Sequence, residues 1–189
     1  MSKKIKEPSE GEQFIMDYLK LNKISFKREV VLDNLKHDDD HTHRKVDFYL
    51  YKFGVYLEFN GRWNNTKEDR VRYREKKEVY KKNRLPCIYL YPENLGIIDY
   101  VFQKRLIEVL KKNSMKKELF KYQLKRFIDD RGGLFVWLII SLLLLSTDLT
   151  WEKDQALIVI LTGICLYQIY RLVKGIHLFF IKNDFIYEA

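Results

Sequence analysis

The sequence predicts an α/β domain followed by a pair of membrane-spanning helices. Three observations carry that prediction. Residues 45–61, KVDFYLYKFGVYLEFNG, alternate apolar and polar side chains on both sides of a turn, as a β-hairpin does. A charged, helix-like stretch, 67–83, separates that hairpin from a second strand-like run at Ile88-Tyr89-Leu90-Tyr91, the arrangement of a crossover helix between parallel strands. Two uncharged runs, 132–147 and 156–170, then follow a basic segment.

At 189 residues the chain is long enough for one domain with a real core. Its 35 Lys+Arg exceed its 26 Asp+Glu, a formal charge of +9 that favours anionic partners, either nucleic acid or acidic lipid headgroups. Cys87 and Cys165 stand in unlike surroundings and form no disulfide framework, so a reducing compartment is expected. The opening MSKKIKEPSEGE has lysines but no apolar run behind them, and is not read as a secretory signal. No internal repeat is visible.

Residues 1–9 read as a mobile basic arm. Ser9 and Glu12 form an S-x-x-E capping box, which starts a helix from Glu10 to about Leu21 with Phe14, Ile15, Tyr18 and Leu19 on one stripe. Ile24 to Leu32 reads as a strand. The tract His37-Asp38-Asp39-Asp40-His41-Thr42-His43 resembles a metal-binding composition, but its spacing matches no zinc signature and no second ligand cluster exists. It reads as a solvated loop leading into the hairpin.

In the hairpin, Tyr51-Lys52-Phe53-Gly54 supplies the turn. Centring the strands there sets Val46 opposite Phe59, Phe48 opposite Leu57 and Leu50 opposite Val55, one apolar face. On the other face Asp47 falls opposite Glu58. Directly opposed residues have Cβ atoms about 4.5–5.5 Å apart. Two carboxylates that close repel unless a proton or a cation lies between them. The acidic pair is therefore a candidate divalent-metal site, with Glu12 as a candidate third acid beside its capping role.

Beyond the hairpin, Arg62-Trp63-Asn64-Asn65-Thr66 is a loop, and Thr66 caps the 67–83 helix. Its predicted core residues are Val71, Tyr73, Val79 and Tyr80. Its many cations, among them Arg70, Arg74 and Lys77, make it a candidate phosphate-contacting face, with Arg62 and Trp63 just past the metal edge. A short strand at 88–91 ends at Pro92-Glu93-Asn94. A helix from about Ile97 to Lys112 follows, with Ile98, Val101, Phe102, Leu106, Val109 and Leu110 inward.

The segment 113–131 is basic. The apolar runs after it are read as two transmembrane helices within 132–173, joined by a polar connector at 148–155 and followed by a tail, 174–189. A span takes about 20 largely apolar residues, with a usable range of about 17–25. Basic flanks outside the pair and an acidic connector place both termini in the cytoplasm by the positive-inside rule. Trp137 and Trp151 are candidate interfacial anchors. The basic flank suits anionic lipid, and a second copy of the chain is a further expected partner.

The series V-D-F-Y-L, short turn, V-Y-L-E-F-N-G, basic helix, I-Y-L-Y-P-E-N-L resembles the PD-(D/E)xK nuclease superfamily, the restriction-endonuclease-like fold. It is most similar to the small Vsr-like and helicase-associated branches. The resemblance covers about residues 9–112 and leaves the membrane segment outside. It implies a mixed sheet flanked by helices and Mg²⁺- or Mn²⁺-dependent phosphodiester hydrolysis, with DNA favoured as substrate. It also implies that Asp47 and Glu58 are metal ligands and that Glu12 matches the first-helix glutamate. The family pattern has a lysine two residues after Glu58, where this chain has Asn60, which can hydrogen-bond but brings no charge. Lys76, at the helix position to which that lysine migrates in related branches, and Lys45, which the hairpin register sets opposite Asn60, are the two candidate replacements.

Overall fold

A computed structural model describes residues 7–36, 42–146 and 151–182. Residues 37–41 of the tract read as a solvated loop (37–43), most of the basic arm, part of the connector and the end of the tail lie outside the described residues. The chain divides into two units, residues 1–119 and 120–189.

The first unit is a four-stranded mixed sheet with helices around it. Its elements are α1 (Glu10–Leu21), β1 (Phe26–Asp33), β2 (His43–Leu50), β3 (Val55–Phe59), α2 (Lys67–Lys82), β4 (Cys87–Leu90), a 3₁₀ turn (Pro92–Ile97) and α3 (Ile98–Lys112). The strands lie in sequence order. β1 and β2 are antiparallel, β2 and β3 are antiparallel, and β3 and β4 are parallel. The crossover expected of α2 is thus present.

Local chemistry accounts for the element ends. Ser9 and Glu12 form the reciprocal capping box at α1. Thr66 accepts the Asp69 N–H at 3.0 Å and caps α2, which ends at Asn83. The hairpin closes at Gly54, whose φ of +62° is the left-handed value that glycine adopts without strain. Its N–H donates to the Leu50 carbonyl at 2.9 Å. The ladder pairs Phe48 with Leu57, Tyr49 with Tyr56 and Leu50 with Val55, the register read from the sequence.

All six residues of the predicted apolar face, Val46, Phe48, Leu50, Val55, Leu57 and Phe59, are buried. Each such side chain contributes about 1.5–3 kcal/mol by leaving water. Val79 and Tyr80 of α2 pack against Val46 and Cys87. Two predicted core residues are exposed instead, Phe14 at 48% and Val71 at 49%. Phe14 lies at the edge of the face whose buried residues are Ile15 and Leu19, and Val71 lies about two turns before Val79 and Tyr80, the buried residues of α2. The strand read as 24–32 begins two residues later. Ile24 is buried, but its N–H closes the α1 turn on Leu19.

Phe59 ties α1 to the end of β3. A Cβ at Gly11 would lie 2.3 Å from its ring, and one at Gly61 2.8 Å. Alanine at Gly11 would favour the helix by about 1 kcal/mol. Overpacking costs about 1–3 kcal/mol, so the ring keeps this position glycine.

In the second unit, α4 (Lys116–Leu145) begins at the unit boundary, and α5 (Trp151–Ile176) continues into a π-helical turn (His177–Lys182). Phe127 packs with Leu172 and Phe179, and Gln123 donates to the Phe179 carbonyl at 2.9 Å. Gly175 admits this approach, since a Cβ there would lie 3.0 Å from the Phe127 ring. Among the described residues one helical segment, Lys153–Ile181, is long and apolar enough to cross a membrane. The first predicted run falls short because Asp129, Asp130 and Arg131 precede it and the helix ends at Leu145. Its uncharged part, Gly132 to Leu145, rises only about 21 Å at 1.5 Å per residue, against about 30 Å of hydrocarbon.

Candidate metal centre

The backbone ladder between β2 and β3 stops at the Phe48–Leu57 pair. Just beyond it the Asp47 side chain replaces a ladder partner: its Oδ2 accepts the Phe59 N–H at 2.7 Å. Glu58, between Leu57 and Phe59, is buried at 3% exposure. The predicted acidic pair is thus held where the two strands lose their pairing.

Lys76 of α2 donates from Nζ to Glu58 Oε1 in a largely buried ion pair. The other oxygen, Oε2, is buried with no hydrogen-bond partner. An orphaned carboxylate oxygen is costly to bury. Burial pushes the Glu58 carboxyl up to about 8, helped by the Asp47 charge and opposed by Lys76. Burial also raises Asp47, to about 6, against the Phe59 N–H and Lys76. One lysine faces two acids here, and the balance favours protons on the acids or an added cation.

Both acids open onto a cleft of about 640 Å³. Glu12 lines the same cleft, while its Oε2 accepts the Ser9 N–H at 2.9 Å, so the capping role and the position near the pair coexist. Glu12 and Glu29 both raise the Asp47 carboxyl. The sequence reading missed Glu29. The pairs Arg28–Phe48 and Val30–Val46 bracket it beside Asp47, and its φ is +46°. A non-glycine residue there stores local strain, of order 1–3 kcal/mol.

Among the described residues no group of three or more His, Cys, Asp or Glu side chains could hold a metal ion. Mg²⁺ does not require such a cage: it keeps several waters and binds through one or two carboxylates plus substrate phosphate. Two hard carboxylates, one with an orphaned oxygen, fit that demand, so Asp47 and Glu58 are the residues that would hold the ion.

The two lysine candidates separate. Lys76 reaches Glu58, whereas Lys45 is exposed on β2 opposite Val31, with its carbonyl accepting the Tyr80 hydroxyl at 3.3 Å. Asn60 is buried at 2% exposure. Its backbone continues the β3–β4 pairing to Leu90 and closes a turn on Trp63.

The candidate nucleic-acid residues divide. Arg62 lines the cleft, as do Arg72, one of the cations of the candidate phosphate-contacting helix, and Tyr73, which the sequence places in the core. Trp63 lies with its ring centroid 6.4 Å from Tyr73 and 5.0 Å from Tyr91, beneath the Arg74 guanidinium at 5.7 Å. Arg70 is half-buried near the Thr66 cap, outside the cleft lining. Lys77 points to a different groove, over the Tyr89 ring at 5.1 Å. Comparison with protein-family models, curated proteins and solved structures finds no match to this chain.

Proposed function

We propose that residues 10–112 form a divalent-metal-dependent nuclease domain of the restriction-endonuclease-like type, hydrolysing phosphodiester bonds of DNA at a membrane. The observation that carries this reading is the buried Asp47–Glu58 pair, with Lys76 on Glu58, opening onto a cleft that Arg62 and Arg72 also line. The element order and the mixed sheet agree with the fold that the sequence resemblance implies.

Asp47 and Glu58 would hold a Mg²⁺ or Mn²⁺ ion, which would supply polarisation of a phosphoryl oxygen and a water of lowered pKa. The Phe59 N–H fixes the Asp47 carboxylate, and Lys76 supplies the positive charge that Asn60 lacks, next to the site where negative charge develops. Arg62 and Arg72 grip backbone phosphates, which positions the strand without reading its sequence. Cleavage of a DNA oligonucleotide by the full chain with Mg²⁺ or Mn²⁺, lost in Asp47→Asn, tests the proposal.

A second reading, a domain that tethers nucleic acid without cutting it, draws on Asn60 at the position of the family lysine. It predicts salt-sensitive binding and no cleavage under the same conditions.

We further propose that both apolar runs span the bilayer, with the termini cytoplasmic, the shorter first run doing so with local bilayer thinning and snorkelling of its flanking charges. Trp137 at 60% and Leu143 at 62% exposure on α4, and Leu166 at 63% on α5, leave large apolar surfaces uncovered, as lipid contact requires. The chain is expected to stay in the membrane fraction through alkaline carbonate extraction. A cysteine introduced into the 148–155 connector is expected to react with a membrane-impermeant maleimide in intact cells. A chain released by carbonate, or a connector labelled only after lysis, contradicts this topology.

A further inference from the structure

Four aromatic side chains lead away from the acidic cleft, and each carries a cation. Tyr73 lines the cleft with Arg72 over its ring at 5.1 Å. Trp63, under Arg74, is 6.4 Å from Tyr73 and 5.0 Å from Tyr91. Tyr91 has Arg105 at 5.4 Å, and Tyr89 has Lys77 at 5.1 Å. Tyr89 and Tyr91 are two residues apart in extended chain, roughly 6–7 Å. All four rings are half-buried, each with an exposed part.

The row ends in a groove along β4, the edge strand of the sheet. Two cavities of about 440 and 320 Å³ share Lys77, Cys87, Tyr89 and Val109 and so adjoin along β4. The larger is lined by Lys77, Lys81, Arg84 and Lys112, with no acid; the smaller adds Arg105 and one acid, Glu108.

The free edge of β4 is not open to an added strand. Arg105 donates to the Tyr89 carbonyl and, at 2.8 Å, to Asn94 Oδ1. That blocks a β-pairing partner and leaves a cationic trough with aromatic faces. Alternating rings and cations at this spacing match one polymer: unpaired bases stack on any aromatic face while the phosphates follow the positive charge. In a duplex the bases are already stacked and unavailable.

We propose that this groove binds a single strand of nucleic acid and delivers it to, or receives it from, the acidic cleft. The binding stands on the groove's own geometry, and only its link to cleavage rests on the nuclease reading.

The test is fluorescence anisotropy with the full-length chain in non-ionic detergent and EDTA. The probes are a labelled oligothymidylate of about 12 nucleotides and a duplex of equal length. The single strand is expected to bind about tenfold more tightly. Tyr89→Ala is expected to weaken it by about fivefold or more. Replacing Lys81, Arg84 and Lys112 together by alanine is expected to reduce the slope of log K against log salt by about 2. Tyr91→Leu supplies a second variant if Tyr89→Ala melts early. Equal or tighter duplex binding, or full affinity and slope in the variants, overturns the groove. Binding that depends on the groove in a chain that does not cleave leaves this inference standing and overturns the nuclease reading. Cleavage that ignores the groove variants leaves the nuclease reading standing and overturns the delivery of the strand between groove and cleft.

Discussion

If the nuclease proposal holds, Asp47→Asn and Glu58→Gln are each expected to lower Mg²⁺-dependent cleavage of DNA by about 10³-fold or more, because each would remove a ligand of an ion that contributes several kcal/mol at the transition state. Lys76→Met lowers it by about 10²–10³-fold, the effect of losing one preorganised positive group. Lys45→Ala stays close to wild type, since Lys45 lies exposed on β2 and makes no ion pair with either acid. Single-turnover rates on a labelled oligonucleotide separate these outcomes. Glu58→Gln keeps the side chain's shape and removes its charge, so a folded but inactive variant isolates chemistry from stability. A Lys45→Ala loss equal to that of Lys76→Met would contradict the assignment of the lysine.

The metal-free chain loses stability as pH rises. Asp47 is raised to about 6 and Glu58 to about 8, against ordinary values of 3.8 and 4.5. From about pH 4 to about pH 8 the unfolded chain releases protons that the folded chain still holds. The folded state binds more protons, so this contribution is fully present below the unfolded values and is lost as pH climbs through the folded ones. The loss is on the order of several kcal/mol. A divalent cation held at the proposed site would reverse the trend, because it would bind the ionised carboxylates and displace their protons. Thermal unfolding with and without Mn²⁺ therefore shows a larger metal-induced rise in Tm near pH 8 than near pH 5.5. In Glu58→Gln the metal-free decline at the alkaline end flattens. The same profile in that variant would assign the proton to another group.

What was legible in the chain was local. The Ser9–Glu12 box, the Thr66 cap and the Gly54 turn each lie within a few residues, so α1, α2 and the hairpin register follow from the sequence. The hairpin register alone brought Asp47 toward Glu58. Glu29 was not legible, because its charge acts on Asp47 through a β1–β2 pairing whose register nothing in the sequence between the strands sets. The choice between Lys76 and Lys45 also depended on distance: it follows from how α2 rotates over the sheet, which a helix so rich in charge does not reveal. Arg72, Tyr73 and the row through Trp63 were hidden for the same reason. Phe14 is exposed beside fully buried Ile15 because the stripe does not fix the edge of the buried face, and Val71 because the stripe does not say how far along the helix its neighbour extends. Composition marks the first apolar run without fixing its length, which Asp129, Asp130 and Arg131 limit on one side and the helix end at Leu145 on the other.

The most direct test of the metal centre is calorimetric titration of Mn²⁺ into the full-length chain near pH 7.5, beside Glu58→Gln. The account predicts about one saturable ion per chain with proton release in the wild type, and loss of that binding in the variant. Equal binding by both proteins, or none by the wild type, would contradict it.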